Sequence, residues 1–314
     1  MGATASAGAT GPAASAAPAT PATRTYQEPA TVAEAVALLA ALGPAAGIVA
    51  GGTDLVVAAR GGRRELPRAI VAIHRLTELS TIEETKDGGL RLGALVTHGN
   101  LETSPLIAAR WSALSDAAAL VGSPATRHVG TLGGNLCNAS PAAEAPSPLL
   151  VFEAAVELRS AAAARTLALA EFLVGPGVTA LGPGELLIGV TVPPLPAGRV
   201  GSAYLRLEYR AAMEIAVVGA AALVALDADG RCADVRIALT AVAPTCVRAA
   251  GAEAALRGRT PTGELVAAAS AMATEAARPI DDVRATARYR SAMVPVIVRR
   301  AIERALRRAG EADA

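Results

Sequence analysis

Two glycine-bearing stretches carry the residue types that could grip a polar or anionic ligand. The longer runs Thr131-Leu132-Gly133-Gly134-Asn135-Leu136-Cys137-Asn138-Ala139-Ser140-Pro141, with Glu144 just beyond. Its paired glycines allow backbone conformations closed to other residues and let a ligand approach N–H groups closely. Its Asn and Ser side chains are short, neutral donors and acceptors. The same residues also build ordinary turns, so taken alone this stretch leaves both readings open. The shorter stretch is Ala50-Gly51-Gly52-Thr53-Asp54-Leu55. A buried strand, Gly47 to Ala50, leads into it. A helix from Leu55 to Arg60, capped by Thr53 or Asp54 and closed by Gly61-Gly62, leads out. N–H groups at a helix N-terminus beside glycines make an anion cradle. The spacing fits neither G-x-G-x-x-G nor the P-loop, and a tight strand–helix turn is the alternative.

Other chemistries find little support. His74, His98 and His128 form no metal-binding pattern, although His128 lies three residues before Thr131; structural roles suit all three. Cys137, Cys232 and Cys246 are too few for a disulfide framework or for an iron–sulfur cluster, which takes about four thiolates. The chain therefore reads as cytoplasmic and without a cluster of its own. Near-balanced charge, 29 basic against 28 acidic residues, gives no footprint for nucleic acid. The longest apolar run, Ile215 to Leu226, is too short for a membrane span of about 20 residues and reads as a buried strand.

Regular elements must position these stretches. Residues 1–24, nearly all Ala, Thr, Gly, Pro and Ser, form a disordered tail. Thr31 and Glu34 make a capping box for a first helix that ends at Gly43. Strands follow at Ala69 to Ile73 and Ser80 to Thr85, the latter turning through Asp87-Gly88-Gly89 into Leu90-Arg91-Leu92. Pro105 to Val121 reads as one helix, Glu171 to Val174 as a helical turn and Glu185 to Val192 as a strand. Pro193-Pro194 marks a domain boundary. Beyond it lie three strands, Ala203 to Tyr209, Ile215 to Leu226 and Arg231 to Ala241, and then helices at Val247 to Leu256, Gly263 to Ala277 and Val283 to Arg308. Arg299, Arg300, Arg304, Arg307 and Arg308 on the last helix suit a solvated face better than a contact surface.

The two stretches, taken with Tyr204-Leu205-Arg206, Arg210 and Glu214-Ile215-Ala216, resemble a known family in order and spacing across residues 25–310. It is the FAD-binding medium subunit of the molybdenum hydroxylases, the xanthine dehydrogenase and carbon monoxide dehydrogenase type. The resemblance implies an α+β fold: a two-subdomain, PCMH-type FAD-binding domain over 25–192 (subdomains about 25–85 and 86–192). A C-terminal domain over 199–310, a three-stranded antiparallel sheet with a helical layer, follows it.

It also implies FAD as cofactor, with Ala50, Gly51, Gly52, Thr53, Asp54 and Leu55 wrapping the pyrophosphate. Val121, Gly122, Thr131, Gly133, Gly134, Asn135, Cys137, Asn138 and Glu144 complete the cofactor contacts, with Leu187 beside the adenine and Arg206 near the flavin. No side chain is assigned as a general acid or base. Glu144, Glu214 and Arg206 stand where the family usually has Asp, Asp and Lys. The implied partners are a [2Fe-2S] small subunit and a molybdenum-cofactor large subunit, with electrons passing from the cluster to FAD and on to an acceptor such as NAD. The alternatives are a stand-alone FAD oxidoreductase of the same fold and a cofactor-free assembly module.

Overall fold

In the computed structural model, residues 23–62 and 65–311 are described; most of the expected tail, 1–22, lies outside them. The first subdomain contains β1 (Thr25–Gln27), α1 (Val32–Leu42), β2 (Ala46–Val49), α2 (Thr53–Arg60) and β3 (Ala69–Ala72). Its strands form a parallel sheet in the order β1-β3-β2. Thr31 caps α1 as the sequence implies, its hydroxyl accepting from the Glu34 amide while Glu34 accepts from the Ala30 amide. The apolar stripe Val32, Ala35, Val36 and Leu39 then seals a small core with Val71, Ile73 and Leu186.

The second subdomain begins at β4 (Ile82–Glu84), β5 (Leu90–Gly93), α3 (His98–Thr103), α4 (Pro105–Arg110), α5 (Ser112–Ala119), α6 (Pro124–Val129), α7 (Leu132–Asn138) and α8 (Pro146–Val151). It continues through β6 (Ala155–Arg159), β7 (Ala164–Ala168), α9 (Leu169–Phe172), β8 (Leu173–Gly175), β9 (Val178–Thr179) and β10 (Leu186–Val192). Five of these strands form an antiparallel sheet, β4-β5-β10-β6-β7. Because β4 pairs with β5, a break at 85/86 would cut a hairpin, and the second sheet starts at β4 instead. The expected single helix over 105–121 is two helices, broken where fully buried Trp111 turns inward at φ −119°.

The C-terminal part holds β11 (Arg199–Leu207), β12 (Val218–Leu226), β13 (Cys232–Thr240), β14 (Val247–Arg248), α10 (Ala250–Leu256), α11 (Gly263–Met272) and α12 (Ala287–Glu311). Its sheet gains a fourth, two-residue strand from the segment that reads in sequence as the start of a helix. Every residue of β12 is buried, which explains its unbroken apolar run. Ala221 and Leu223 face the second subdomain's core, whereas Ala220, Ala222 and Val224 face the cover of α10 to α12. The interface between the two domains is therefore itself a packed core. Its edge is tied by Asp116, which accepts from the Tyr204 amide at 3.1 Å and from Arg308 at 2.7 Å. Part of the basic face of α12 is thus held in an internal ion pair, with Arg304 also on Asp116.

Candidate functional site

The shorter glycine-bearing stretch lies against the residues that lead into the longer one, Val129 and Gly130. A Cβ on Gly51 would fall 1.7 Å from the Val129 carbonyl oxygen and 2.6 Å from its carbon, so only glycine lets the turn before α2 lie against the end of α6. Gly52 has φ +71°, a left-handed conformation that glycine adopts at no steric cost. It, and not Thr53 or Asp54, is the N-cap of α2. With no side-chain cap present, the first-turn amides of α2 have no partner within the helix and stay available to an acceptor.

The longer stretch differs from the loop that its composition suggests. It folds as the seven-residue helix α7, with Thr131 as N-cap and Ala139 in the left-handed region. Its first-turn amides are already used. Leu132 donates to Val96 O, Gly133 to Ala94 O, Asn135 to Thr131 O, and Gly134 to the Thr131 hydroxyl. The backbone N–H groups left free for an acceptor are therefore those of α2 and not those of the first turn of α7. Gly133 packs inward, where a Cβ would meet Ala94 O at 2.7 Å. At Gly134 a Cβ would meet only the Thr131 hydroxyl, at 3.0 Å. Gly134 and Asn138 are exposed with Asn135 half-buried between them, making one open face.

Two supports hold this arrangement. The His98 amide donates to Gly130 O, and Thr97 bridges to Thr131. Buried His98 has no hydrogen-bond partner for Nδ1; burial and nearby Arg127 push its pKa down to about 4. Arg127 binds Glu102 at 2.6 Å and the Val121 carbonyl at 3.3 Å, fixing the Val121–Gly122 turn. There Gly122 has φ +51° and accepts from the Met213 amide of the C-terminal part. Cys137 is half-buried and its thiol is pushed up to about 12 by burial, so it is not a reactive thiolate.

The side chain of Leu187 points into the core. It is 3% exposed in the second subdomain's core, whereas Leu186 and Ile188, on the opposite face of β10, pack toward the first subdomain. Strand alternation decides this, and a short apolar run such as Leu186-Leu187-Ile188 does not reveal which face is which.

Arg206, on β11, is buried to 1% side-chain exposure and binds two carboxylates, Glu144 and, at 2.5 Å, Glu208. Its Nη2 has no partner. Burial pushes the Glu144 carboxyl up to about 7, against the pull of Arg206. The loop carrying Glu144 is pinned by the C-terminal part, since the Ala241 amide donates to Pro141 O and Cys246 lies against Pro141 and Ala143. Glu208 had no place in the sequence reading; the available signal was its position two residues after Arg206, just past the end of β11. His74, by contrast, lies at the surface beside Glu28, away from these residues.

Among the described residues, no His, Cys, Asp and Glu cluster is placed to hold a metal ion. No helix among them is long and apolar enough to cross a membrane.

Comparison with known proteins gives matches over both halves. Residues 21–195 match the model of the FAD binding domain in molybdopterin dehydrogenase. Residues 203–305 match the CO dehydrogenase flavoprotein C-terminal domain. The chain is 37% identical to the 6-hydroxypseudooxynicotine dehydrogenase complex subunit alpha of Paenarthrobacter nicotinovorans, over 89% of this chain and 93% of that one. It is 32% identical to the xanthine dehydrogenase FAD-binding subunit of Escherichia coli, over 91% and 97%. A solved structure of carbon monoxide dehydrogenase from Hydrogenophaga pseudoflava, lacking the Mo-pyranopterin moiety of its molybdenum cofactor, superposes with a TM-score of 0.86. The identity is 35%, covering 92% of this chain and 99% of that one. With two domain models in series and relatives aligned over nearly the whole length, the chain belongs to the FAD-binding medium subunits of the molybdenum hydroxylases, oxidoreductase subunits of the xanthine and carbon monoxide dehydrogenase type.

Proposed function

We propose that this chain is the electron-accepting flavin subunit of a three-part enzyme: a partner [2Fe-2S] subunit delivers electrons singly to FAD, and an acceptor such as NAD removes them as a pair. Substrate oxidation would take place on a separate molybdenum-cofactor subunit. Bound FAD supplies the conversion between one-electron and two-electron transfer; the protein binds, orients and tunes it. The observation that carries this reading is the uncapped N-terminus of α2, whose leading turn lies against the end of α6 at the Gly51–Val129 contact, two residues before the start of the Thr131 stretch.

The residues fit a dinucleotide. The first-turn amides of α2 suit a pyrophosphate, which oriented backbone dipoles can hold without lysines. The bare α-carbon of Gly134 allows close approach, and buried Asn135 Oδ1 is an acceptor without a partner. Arg206 keeps an unpartnered Nη2 donor, although two carboxylates now share its charge. No group in this set is arranged as a nucleophile with its base, which disfavours a stand-alone oxidase. Positions that only glycine can fill argue against a cofactor-free module.

Purification from the native cell tests the assignment. Subunit mass spectrometry with flavin, iron and molybdenum analysis should find two further chains, one carrying [2Fe-2S] clusters and one carrying molybdenum. A chain that purifies alone at every stage would overturn it.

A further inference from the structure

One side of α12 carries more cation than its surroundings balance. Arg300, Glu303, Arg304 and Arg307 follow one another at spacings of three and four residues and so share a face of the helix. With half-buried Leu205 of β11 they line an open groove of about 340 Å³. The carboxylates beside it are already committed. Glu303 holds Arg299 at 2.7 Å, and Asp116 holds both Arg304, at 3.2 Å, and Arg308, at 2.7 Å. Among the described residues, exposed Arg300 and Arg307 reach no carboxylate. Five arginines thus face two acids, an excess of three charges in a chain whose net charge is +1. Such an excess is unfavourable for a face that only water covers, because like charges three and four residues apart destabilise a helix. The helix dipole favours cations only in the last turn, and Arg300 stands well before the end of α12 at Glu311.

We propose that this groove is a docking surface for an acidic stretch of a partner subunit, whose carboxylates lie against Arg300, Arg304 and Arg307 and whose apolar side chain covers Leu205. The proposal rests on the reading of this chain as one subunit of a larger enzyme. Charge complementarity names the occupant: guanidinium groups bind carboxylates through paired N–H donors, and added acid is what this face lacks. Arg300 and Arg307 are separated by about 10 Å along the helix axis, a span that about three residues of extended chain cover. A membrane surface or a nucleic acid fits less well, because Glu303 stands between the arginines and would meet its phosphates. Contacts of this kind steer the encounter and fix its register, and they weaken as salt screens them. The groove therefore helps choose which chain docks and in which orientation.

Arginine footprinting of the wild type tests this. Phenylglyoxal modification, mapped by peptide mass spectrometry, should reach Arg300 and Arg307 readily in the isolated chain and far more slowly in the assembled enzyme. Equal rates in the two would overturn the proposal. A double variant, Arg300→Glu with Arg307→Glu, tests the charge of the occupant. Both side chains are exposed, so the isolated variant should melt as the wild type does. Its affinity for the partner subunits should fall about tenfold or more at low salt, and the loss should shrink as salt is raised. Unchanged affinity would overturn the acidic occupant. Binding of the wild-type chain to phosphatidylserine vesicles that the double variant loses would assign the groove to a lipid surface and overturn the proposal as well. A chain that purifies alone at every stage overturns the subunit reading and this proposal together. An assembled enzyme whose Arg300 and Arg307 stay fully reactive overturns the proposal alone.

Discussion

Adding one methyl group at each of two glycines should separate the architecture of the site from its cargo. In Gly51→Ala the new carbon lies 1.7 Å from the Val129 carbonyl oxygen. Carbon–oxygen contacts begin near about 3.3 Å, so the α2 turn and the end of α6 must part by about 1.6 Å. Backbone, and not a flexible side chain, has to move. Overpacking of this kind costs about 1–3 kcal/mol, a fall in Tm of roughly 2–12 °C for a domain of this size. FAD affinity should drop with it, because the α2 amides shift away from α7.

In Gly134→Ala the methyl meets only the Thr131 hydroxyl, at 3.0 Å. Replacing glycine within a helix gains about 0.5–1 kcal/mol, so the cofactor-free chain should keep or raise its Tm. Its methyl, however, stands on the open face with Asn135 and Asn138. Displacing a closely packed ligand by one methyl costs about 1–3 kcal/mol, roughly 5- to 150-fold in Kd. Thermal melts of the cofactor-free chains and FAD titrations read by quenching of flavin fluorescence measure both effects. Wild-type FAD affinity in Gly134→Ala would refute the placement of the cofactor against α7. An unchanged Tm in Gly51→Ala would refute the close contact between the turn before α2 and the end of α6.

The sign of a pH effect follows from His98. Its folded pKa, about 4, lies below the ordinary value of 6.5, so the unfolded chain binds the extra proton first. This contribution to stability is complete above pH 6.5 and is lost as pH falls toward 4, by up to about 3 kcal/mol. Tm measured against pH should decline less steeply over that window in His98→Asn than in wild type; equal slopes would remove His98 as the cause. Asp116→Asn should loosen the join between domains, because Arg304, Arg308 and the Tyr204 amide all converge on that carboxylate. A stability loss of about 1–3 kcal/mol is expected, with faster hydrogen exchange in β11 and α12. Unchanged exchange there would show that the apolar contacts suffice.

Local signals were legible wherever one residue type dictates one geometry. Thr31, Glu34 and Gly43 bounded α1, and the Asp87-Gly88-Gly89 turn paired β4 with β5, as their chemistry requires. The nine buried residues of β12 announced a strand covered on both faces. Features set by tertiary contact were not legible. The Thr131 stretch is rich in turn residues yet folds as a helix, because Val96 and Ala94 carbonyls from a distant strand end supply partners for its amides. The buried ring of Trp111 breaks what its apolar spacing makes look like one helix. Leu187 lies in an apolar run whose inner face only the sheet decides. The family resemblance implies that Arg206 is a cation near the flavin, and the fold brings two carboxylates onto it, one of them 62 residues away. The family resemblance named candidate residues, and packing shows what each one touches.

Anaerobic rapid mixing tests the central claim most directly. The FAD-loaded chain, assembled with its [2Fe-2S] partner, is mixed with a reductant that feeds the clusters, and flavin absorbance is followed beside cluster absorbance. The account predicts that the clusters reduce first and the flavin then bleaches fully, at two electrons per chain. Clusters that reduce while the flavin stays oxidised would contradict it.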